Sequence, residues 1–422
     1  MYVRILVAGL LLALGLAAAA DAQTSRRPKA PNTLCIGSKC SQQPPQAADG
    51  GGPIKWNPGH YMASDAMLYP NNTLSRFSAE FDHLNGWDAI LGYRVTVTWG
   101  ALEPTKGNYD FTLLDAMLQR LKTHYDKPKR LVIAIVPGRF TSTMGGNDGS
   151  AVPMYIQQGS AYGPSPVAGR YGWWGKSSGG KSTGPYAAAL YRPAVMDRMI
   201  ALLQALGAHY DSEPYFEAVM MQEDAWMFSL WNGAPDYAPT KPDSAIAQFK
   251  RMLSAATAAF PHTSVIMQNT WAGTLQPTME LESWMVANRI APGTSDVVGQ
   301  SAFDDHGYEK GLSWGLQSYL GRGAGALAEG SMRPKARAMV DVEAPDMVGN
   351  YFTKYGGPFT PADIVKALNQ TYGASHAFWT YLVGTESFFG GKVPAAAKWS
   401  NLAETISATP LTNTGYPPNY PQ

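Results

Sequence analysis

The feature that most restricts what this chain can fold into is a regular alternation, from about residue 54 onward, of short apolar runs with amphipathic stretches. Apolar runs rich in β-branched residues and bounded by Gly or Pro read as strands buried on both faces, whereas apolar residues recurring every three to four positions read as helices packed on one side. The predicted strands are Gly59 to Met62, Tyr93 to Trp99, Leu131 to Val136, Glu217 to Met221, Ser264 to Gln268, Asp296 to Gln300, Ala338 to Val342 and Ser375 to Val383. Between and after them, helical spacing is predicted at Leu74 to Ile90, Asp110 to His124, Pro193 to His209, Ala245 to Phe260, Met279 to Asn288, around Leu312 to Leu320, after Pro361, and from Pro394 to Ile406. Eight strand-helix units in this order predict an α/β fold, the (β/α)8 TIM barrel. An open doubly wound sheet is the alternative, but no Gly-rich nucleotide loop follows the first strand.

Upstream of the alternation, Arg4 precedes an apolar stretch from Ile5 to Ala20 that ends in the small-residue pattern Ala20-Asp21-Ala22. That run is expected to be a secretory signal covering residues 1–22, with the mature protein secreted or periplasmic and without stable membrane insertion. Residues 23–53 are rich in Gln, Ser, Pro, Gly and Ala and offer little to bury, so they read as a flexible arm. The two cysteines of the chain, Cys35 and Cys40, lie in this arm. In an oxidising compartment they are expected to close a small loop, since metal binding needs further ligands that the neighbourhood does not offer. Residues 54–422 remain for the barrel domain, with residues 138–190 as a long insertion after the third strand. The formal net charge of +1 is unchanged by removing the signal, because Arg4 and Asp21 cancel; such a balance gives no reason to expect nucleic acid or another polyanion as partner. The seven histidines are scattered, so no metal or other cofactor is expected.

Two of the apolar runs deliver a glutamate at the carboxyl end. Phe216 to Met221 leads through Gln222 to Glu223, and Ala338 to Val342 leads to Glu343 before Pro345 stops the run. In a parallel sheet this is the end where chemistry is placed. Asp224, Asp304, Asp305, Asp341 and Asp346 are further carboxylates close in sequence to these positions.

The segment YRVTVTWGALEPTKGNYDF at 93–111, followed by Leu114 and Asp115, resembles the second strand and loop of clan A glycoside hydrolases, in particular cellulase-like family 5 and the related β-galactosidase-like families. The likeness extends to a glutamate after the fourth strand, His-x-Tyr after the sixth, a glutamate after the seventh and Trp on the eighth, here Glu223, His306 with Tyr308, Glu343 and Trp379, and so spans residues 55–405. It implies a retaining glycosidase with Glu223 as acid/base and Glu343 as nucleophile. Arg94 would lie near Glu343 and keep it ionised, Trp99 would line the site, Trp379 would form the floor under the sugar, and His306 and Tyr308 would orient the nucleophile. Where the family has Asn before the acid/base, this chain has Gln222, which can offer the same amide donor from a longer stem.

Cleaving a glycosidic bond independently calls for such a pair: one carboxylic acid to protonate the leaving oxygen and one carboxylate to meet the oxocarbenium-like centre. The 138–190 segment carries Tyr155, Tyr162, Tyr171, Trp173, Trp174 and Tyr186 among its glycines. Rings in a Gly-rich loop suit an extended saccharide, with Trp173 and Trp174 as binding residues. The sequence thus predicts a secreted hydrolase of β-linked oligo- or polysaccharide, or alternatively a carbohydrate-binding protein on the same barrel with idle carboxylates.

Overall fold

The computed structural model describes residues 53–68, 70, 72–139, 151–178, 181–222, 230–231, 233–237, 243–268, 275–294, 297, 299, 336–348, 357–383, 387–388 and 391–421. Eight strands form one sheet: β1 (Gly59–Leu68), β2 (Ile90–Thr98), β3 (Arg130–Val136), β4 (Phe216–Met221), β5 (Ser264–Gln268), β6 (Ile290–Gly293), β7 (Ala338–Val342) and β8 (Ala374–Thr380). Every hydrogen-bonded pair is parallel, in the order β7-β8-β1-β2-β3-β4-β5-β6. The ends of this ladder meet, since the Asp341 N–H on β7 donates to the Thr294 carbonyl just past β6 at 2.8 Å. Gly293 is pressed so close to β7 that a Cβ there would stand 2.7 Å from the Met339 carbonyl oxygen. The sheet is therefore a nearly closed barrel, and the fold is (β/α)8.

Helices follow the strands as α1 (Ser78–His83), α2 (Thr112–Thr123), α3 (Pro193–Tyr210), α4 (Asp243–Ala259), α5 (Leu275–Ala287), α6 (Pro361–Ala367) and α7 (Trp399–Ala408). Their local causes are ordinary. In α2, Leu114, Met117, Leu118 and Leu121 fall on one face and are buried, while the Asp110 carboxylate accepts the Thr112 N–H at 3.0 Å and satisfies one donor of the first turn. Pro193 opens α3 at a position that needs no N–H. Gly207 lets α3 and α4 touch, because a Cβ there would meet the Ala259 carbonyl oxygen at 2.4 Å.

Alternation along the strands separates two apolar layers. Ala63, Val132, Ala218, Met220, Ile266, Ala291, Met339 and Phe378 fill the barrel interior, and their chain neighbours, among them Ile133, Val219, Val265, Val340 and Trp379, pack outward against the helices. At the amino ends of the strands, Glu217 is fully buried. Its carboxylate accepts the backbone N–H and side-chain amide of Asn57 at 2.8 and 2.9 Å and lies 3.4 Å from both His376 Nε2 and the Arg130 guanidinium.

Two expectations change. The sixth strand is Ile290–Gly293 rather than Asp296 to Gln300. Its Pro292 and Gly293 read as turn residues, but Pro is tolerated where a strand ends a ladder and one side needs no donor. The stretch after β1 is helical over Leu74–Phe77 and Ser78–His83, stopping short of Ile90, which begins β2. The helix expected around Leu312 to Leu320 lies outside the described residues, as do the signal, most of the arm, Cys35 and Cys40. Between β3 and α3 the chain forms a three-stranded antiparallel sheet from Gly138–Arg139, Lys181–Ala188 and Trp173–Ser178. It is tied to the barrel where the Ala188 N–H donates to the Pro137 carbonyl at 2.8 Å. No helix among the described residues is long and apolar enough to cross a membrane.

Candidate functional site

The carboxyl ends of the strands converge on a layer of charged and amide side chains above the apolar interior. Arg94 on β2 points inward, as shown by its register beside Val132 of the interior cluster. Its guanidinium donates to Thr96 Oγ1 at 2.7 Å and to the Asp341 carboxylate of β7. Gln268, the last residue of β5, donates its amide to the same carboxylate at 2.7 Å. All three side chains are buried, and Asp341 therefore carries an ionic and an amide partner from strands on either side of the barrel. Burial pushes the Asp341 carboxyl above the usual carboxylate range, and Arg94 and Gln268 only partly oppose this.

Gln222 stands at the next level. Its N–H continues the ladder by donating to the Ile135 carbonyl at 3.1 Å, and the pairing of Met221 with Met267 places it beside Gln268. Among the described residues, Arg94 Nε, Asp341 Oδ1, Gln268 Oε1 and Gln222 Oε1 are buried without a protein hydrogen-bond partner. Buried polar atoms of that kind cost about 1–3 kcal/mol each unless something meets them. The layer thus retains hydrogen-bonding capacity toward the carboxyl ends of the strands.

Glu343 is partly exposed, with extended backbone at φ −83° and ψ 165°. It leads into a short helix, Ala344–Met347. Asp346 shapes this turn: its carboxylate accepts the Glu343 N–H at 2.8 Å and the Val297 N–H at 3.3 Å. Asp346 is buried, and both of these bonds go to its Oδ2. Glu223, His306, Tyr308, Asp224, Asp304 and Asp305 lie outside the described residues.

Several expected contacts are placed differently. Arg94 forms its ion pair with Asp341, two residues upstream of Glu343. Trp379 is fully buried on the outward face of β8; its indole N–H donates to His60 Nδ1 at 3.0 Å, and it packs beneath the helix layer rather than under the mouth. A tryptophan on the eighth strand reads as a sugar platform only if its parity faces inward, and here Phe378 holds that parity. Trp99 is also fully buried. Its indole donates to Glu103 Oε2 at 3.0 Å, and Glu103 Oε1 accepts the Gly107 N–H at 2.9 Å and the Arg198 guanidinium of α3. Arg198 in turn donates to the Tyr155 hydroxyl at 3.0 Å and the Tyr109 hydroxyl at 3.3 Å. Trp99, Glu103, Gly107 and Tyr109 of the 93–111 segment are therefore loop architecture, joining β2 to α3 and to the segment after β3. Trp173 is 5% exposed and packs edge-on against Tyr186 with 5.5 Å between ring centroids. Trp174 is only partly buried, and its indole lies beside Gly233.

Gln268 and the role of Asp341 were not singled out by the sequence. The available signal was a polar residue closing an otherwise apolar strand at inward parity, which alone does not separate a site residue from a strand terminus.

Chains of similar structure include a β-galactosidase from the psychrophilic Marinomonas ef1 at 12% identity and TM-score 0.47, covering 82% of this chain and 58% of that one. They also include a GH5_18 protein from Streptomyces cattleya in complex with Manβ1-4GlcNAc, at 13% identity and TM-score 0.46, covering 83% and 80%. A third is an exo-β-1,4-mannosidase from Opitutaceae bacterium strain TAV5, at 14% identity and TM-score 0.45, covering 82% and 59%. These are glycoside hydrolases. The chain spans less than two thirds of the length of the first and third. No family model and no curated protein sequence matches the chain.

Proposed function

We propose that the chain is a retaining glycoside hydrolase, exported, acting on β-linked oligo- or polysaccharide, with Glu343 as nucleophile and Glu223 as acid/base. The observation that carries this reading is that β4 and β7 run in parallel to the same end of one barrel, where Gln222 and Glu343 emerge over the Arg94–Asp341–Gln268 layer. Glu343 would attack the anomeric carbon while Glu223 gives its proton to the leaving oxygen; Glu223 would then take a proton from the water that releases the sugar. Gln222, buried beside Gln268, would offer its amide to a hydroxyl of the bound sugar.

The test is hydrolysis by the purified protein of a panel of aryl β-glycosides and polysaccharides, with the anomer of the first-formed product read by NMR. Release of the β-anomer supports the reading; release of the α-anomer removes the covalent step and with it the nucleophile's role. A second reading, a carbohydrate-binding protein with idle carboxylates, is favoured by the pairing of Arg94 with Asp341 rather than Glu343. It predicts saturable binding of polysaccharide with no product at all.

The two tryptophans after β3 are expected to behave differently. Trp174→Ala, at the partly exposed ring, should raise KM for long substrates by roughly tenfold, about 1–2 kcal/mol, with kcat and activity on short aryl glycosides nearly unchanged. Trp173→Ala, at the buried ring, should instead lower the unfolding midpoint, by about 3–5 kcal/mol of stability. Steady-state kinetics on a length series together with urea unfolding distinguishes the two; equal loss of kcat on short and long substrates in Trp174→Ala would place the segment in the catalytic machinery.

A further inference from the structure

Asp341 has a role that the two-glutamate scheme does not supply. On β7, Met339 faces the barrel interior while Val340 and Val342 pack outward, so Asp341 faces in. Glu343 follows two residues on with extended backbone, so its Cα lies about 6.6 Å along the strand from that of Asp341, and its side chain accepts the Asp346 N–H in the capping box that opens the Ala344–Met347 turn. Arg94, the cation of the layer, is bound to Asp341. Gln268 holds the same carboxylate from β5 at 2.7 Å.

We propose that Asp341 is a positioning residue for the reaction: by binding Arg94 and sharing Gln268, it fixes the guanidinium beneath the mouth and neutralises its charge, and so governs the pH at which Glu343 becomes the ionised nucleophile. This rests on the glycosidase reading above. Among the described residues, the charged groups on the elements next to Glu343 are Arg94 from β2, Asp341 from its own strand and Asp346 from the following turn. Asp346 accepts the backbone N–H groups of Glu343 and Val297 through Oδ2 and keeps its place in the turn in every variant used below. The neighbouring side chains at this level of β5, β8 and the end of β6, Gln268, Thr380 and Thr294, are uncharged. Among these groups, the Arg94–Asp341 pair is the one that a substitution can unbalance without touching the turn that holds Glu343. Asp341→Asn keeps the shape, removes a like charge from beside Glu343 and leaves Arg94 uncompensated. Both changes favour ionised Glu343, so it should hold its proton only at lower pH.

The experiment is the pH profile of kcat/KM, with folding followed by thermal unfolding. The wild type must first hydrolyse a substrate, and Glu343→Gln must abolish it; failure here overturns the functional reading, and the role of Asp341 falls with it. With that established, Asp341→Asn should move the acid limb down by about one pH unit. The double variant Asp341→Asn with Arg94→Gln, which leaves neither charge, should return the limb to its wild-type position. A fall in kcat with the limb unmoved in folded Asp341→Asn overturns the proposal while leaving the two glutamates in place. Should Asp341→Asn fail to fold, the double variant decides: a limb at the wild-type pH supports cancelling charges, and a limb raised by about one unit shows Arg94 acting on Glu343 alone and overturns it.

Discussion

Glu343→Ala is expected to lower kcat by roughly four orders of magnitude, because the group that would form the covalent bond is removed outright. Azide or formate should restore part of the activity by entering from the face the carboxylate vacates, giving a product of inverted configuration. Glu223→Ala should fail differently. Substrates with poor leaving groups need its proton and should lose most of their rate, whereas activated aryl glycosides need little protonation and should retain much of theirs. The pair of results is informative because the two residues follow different strands, β4 and β7, and are separable in the chain. Equal loss on both substrate types, with no rescue of either variant by small anions, would contradict the assignment of roles.

At the opposite end of the barrel, Glu217→Ala is expected to cost about 3–5 kcal/mol of stability without a specific effect on substrate binding. Burial opposes ionisation of Glu217, but the His376 hydrogen bond and charge, the Arg130 guanidinium and the Asn57 N–H outweigh it and hold the carboxyl below its usual range. A carboxylate lowered in the folded state contributes stability that is present above its unfolded pKa, ~4.3, and is lost as the pH falls through the lower folded value. Urea unfolding should therefore show the largest gap between wild type and Glu217→Ala at neutral pH and a narrowing gap below about pH 4. A gap independent of pH would mean that lost packing, and not the ionised carboxylate, accounts for the effect.

The strands were legible where their cause is local. Ser264 to Gln268 and Ala338 to Val342 coincide with the predicted limits, because a continuous apolar run in a parallel sheet is bounded by its own polar neighbours. Ile290–Gly293 was not legible, since its pairing depends on the end of the ladder and its composition argues for a turn. Among site residues, Gln222 and Glu343 are at strand ends as their positions require. The tryptophans were misread for a common reason. A ring's residue type announces that it will bury area but not on which side: Trp379 lies on the outward face of β8, and Trp99 opens the short helix Trp99–Leu102 just past β2, buried in the same outer layer. The partner of Arg94 was equally invisible, because Asp341 and Glu343 share parity and only the geometry across the barrel chooses between them.

The meeting of β6 and β7 leaves the cylinder laced unevenly. Seven neighbouring pairs are joined by hydrogen-bonded ladders, whereas among the described residues the eighth contact depends on Asp341's amide and on the close approach at Gly293. Local fluctuations should begin along that line, so the Asp341 amide should exchange with deuterated solvent sooner than its neighbours on β7. The same residue carries the carboxylate that binds Arg94 from β2. Its side chain acts as a rivet across the barrel while its backbone fastens the weakest seam, and an occupant resting on the polar layer would tighten both at once. Slower exchange at this one amide would then report a filled mouth without any turnover being measured.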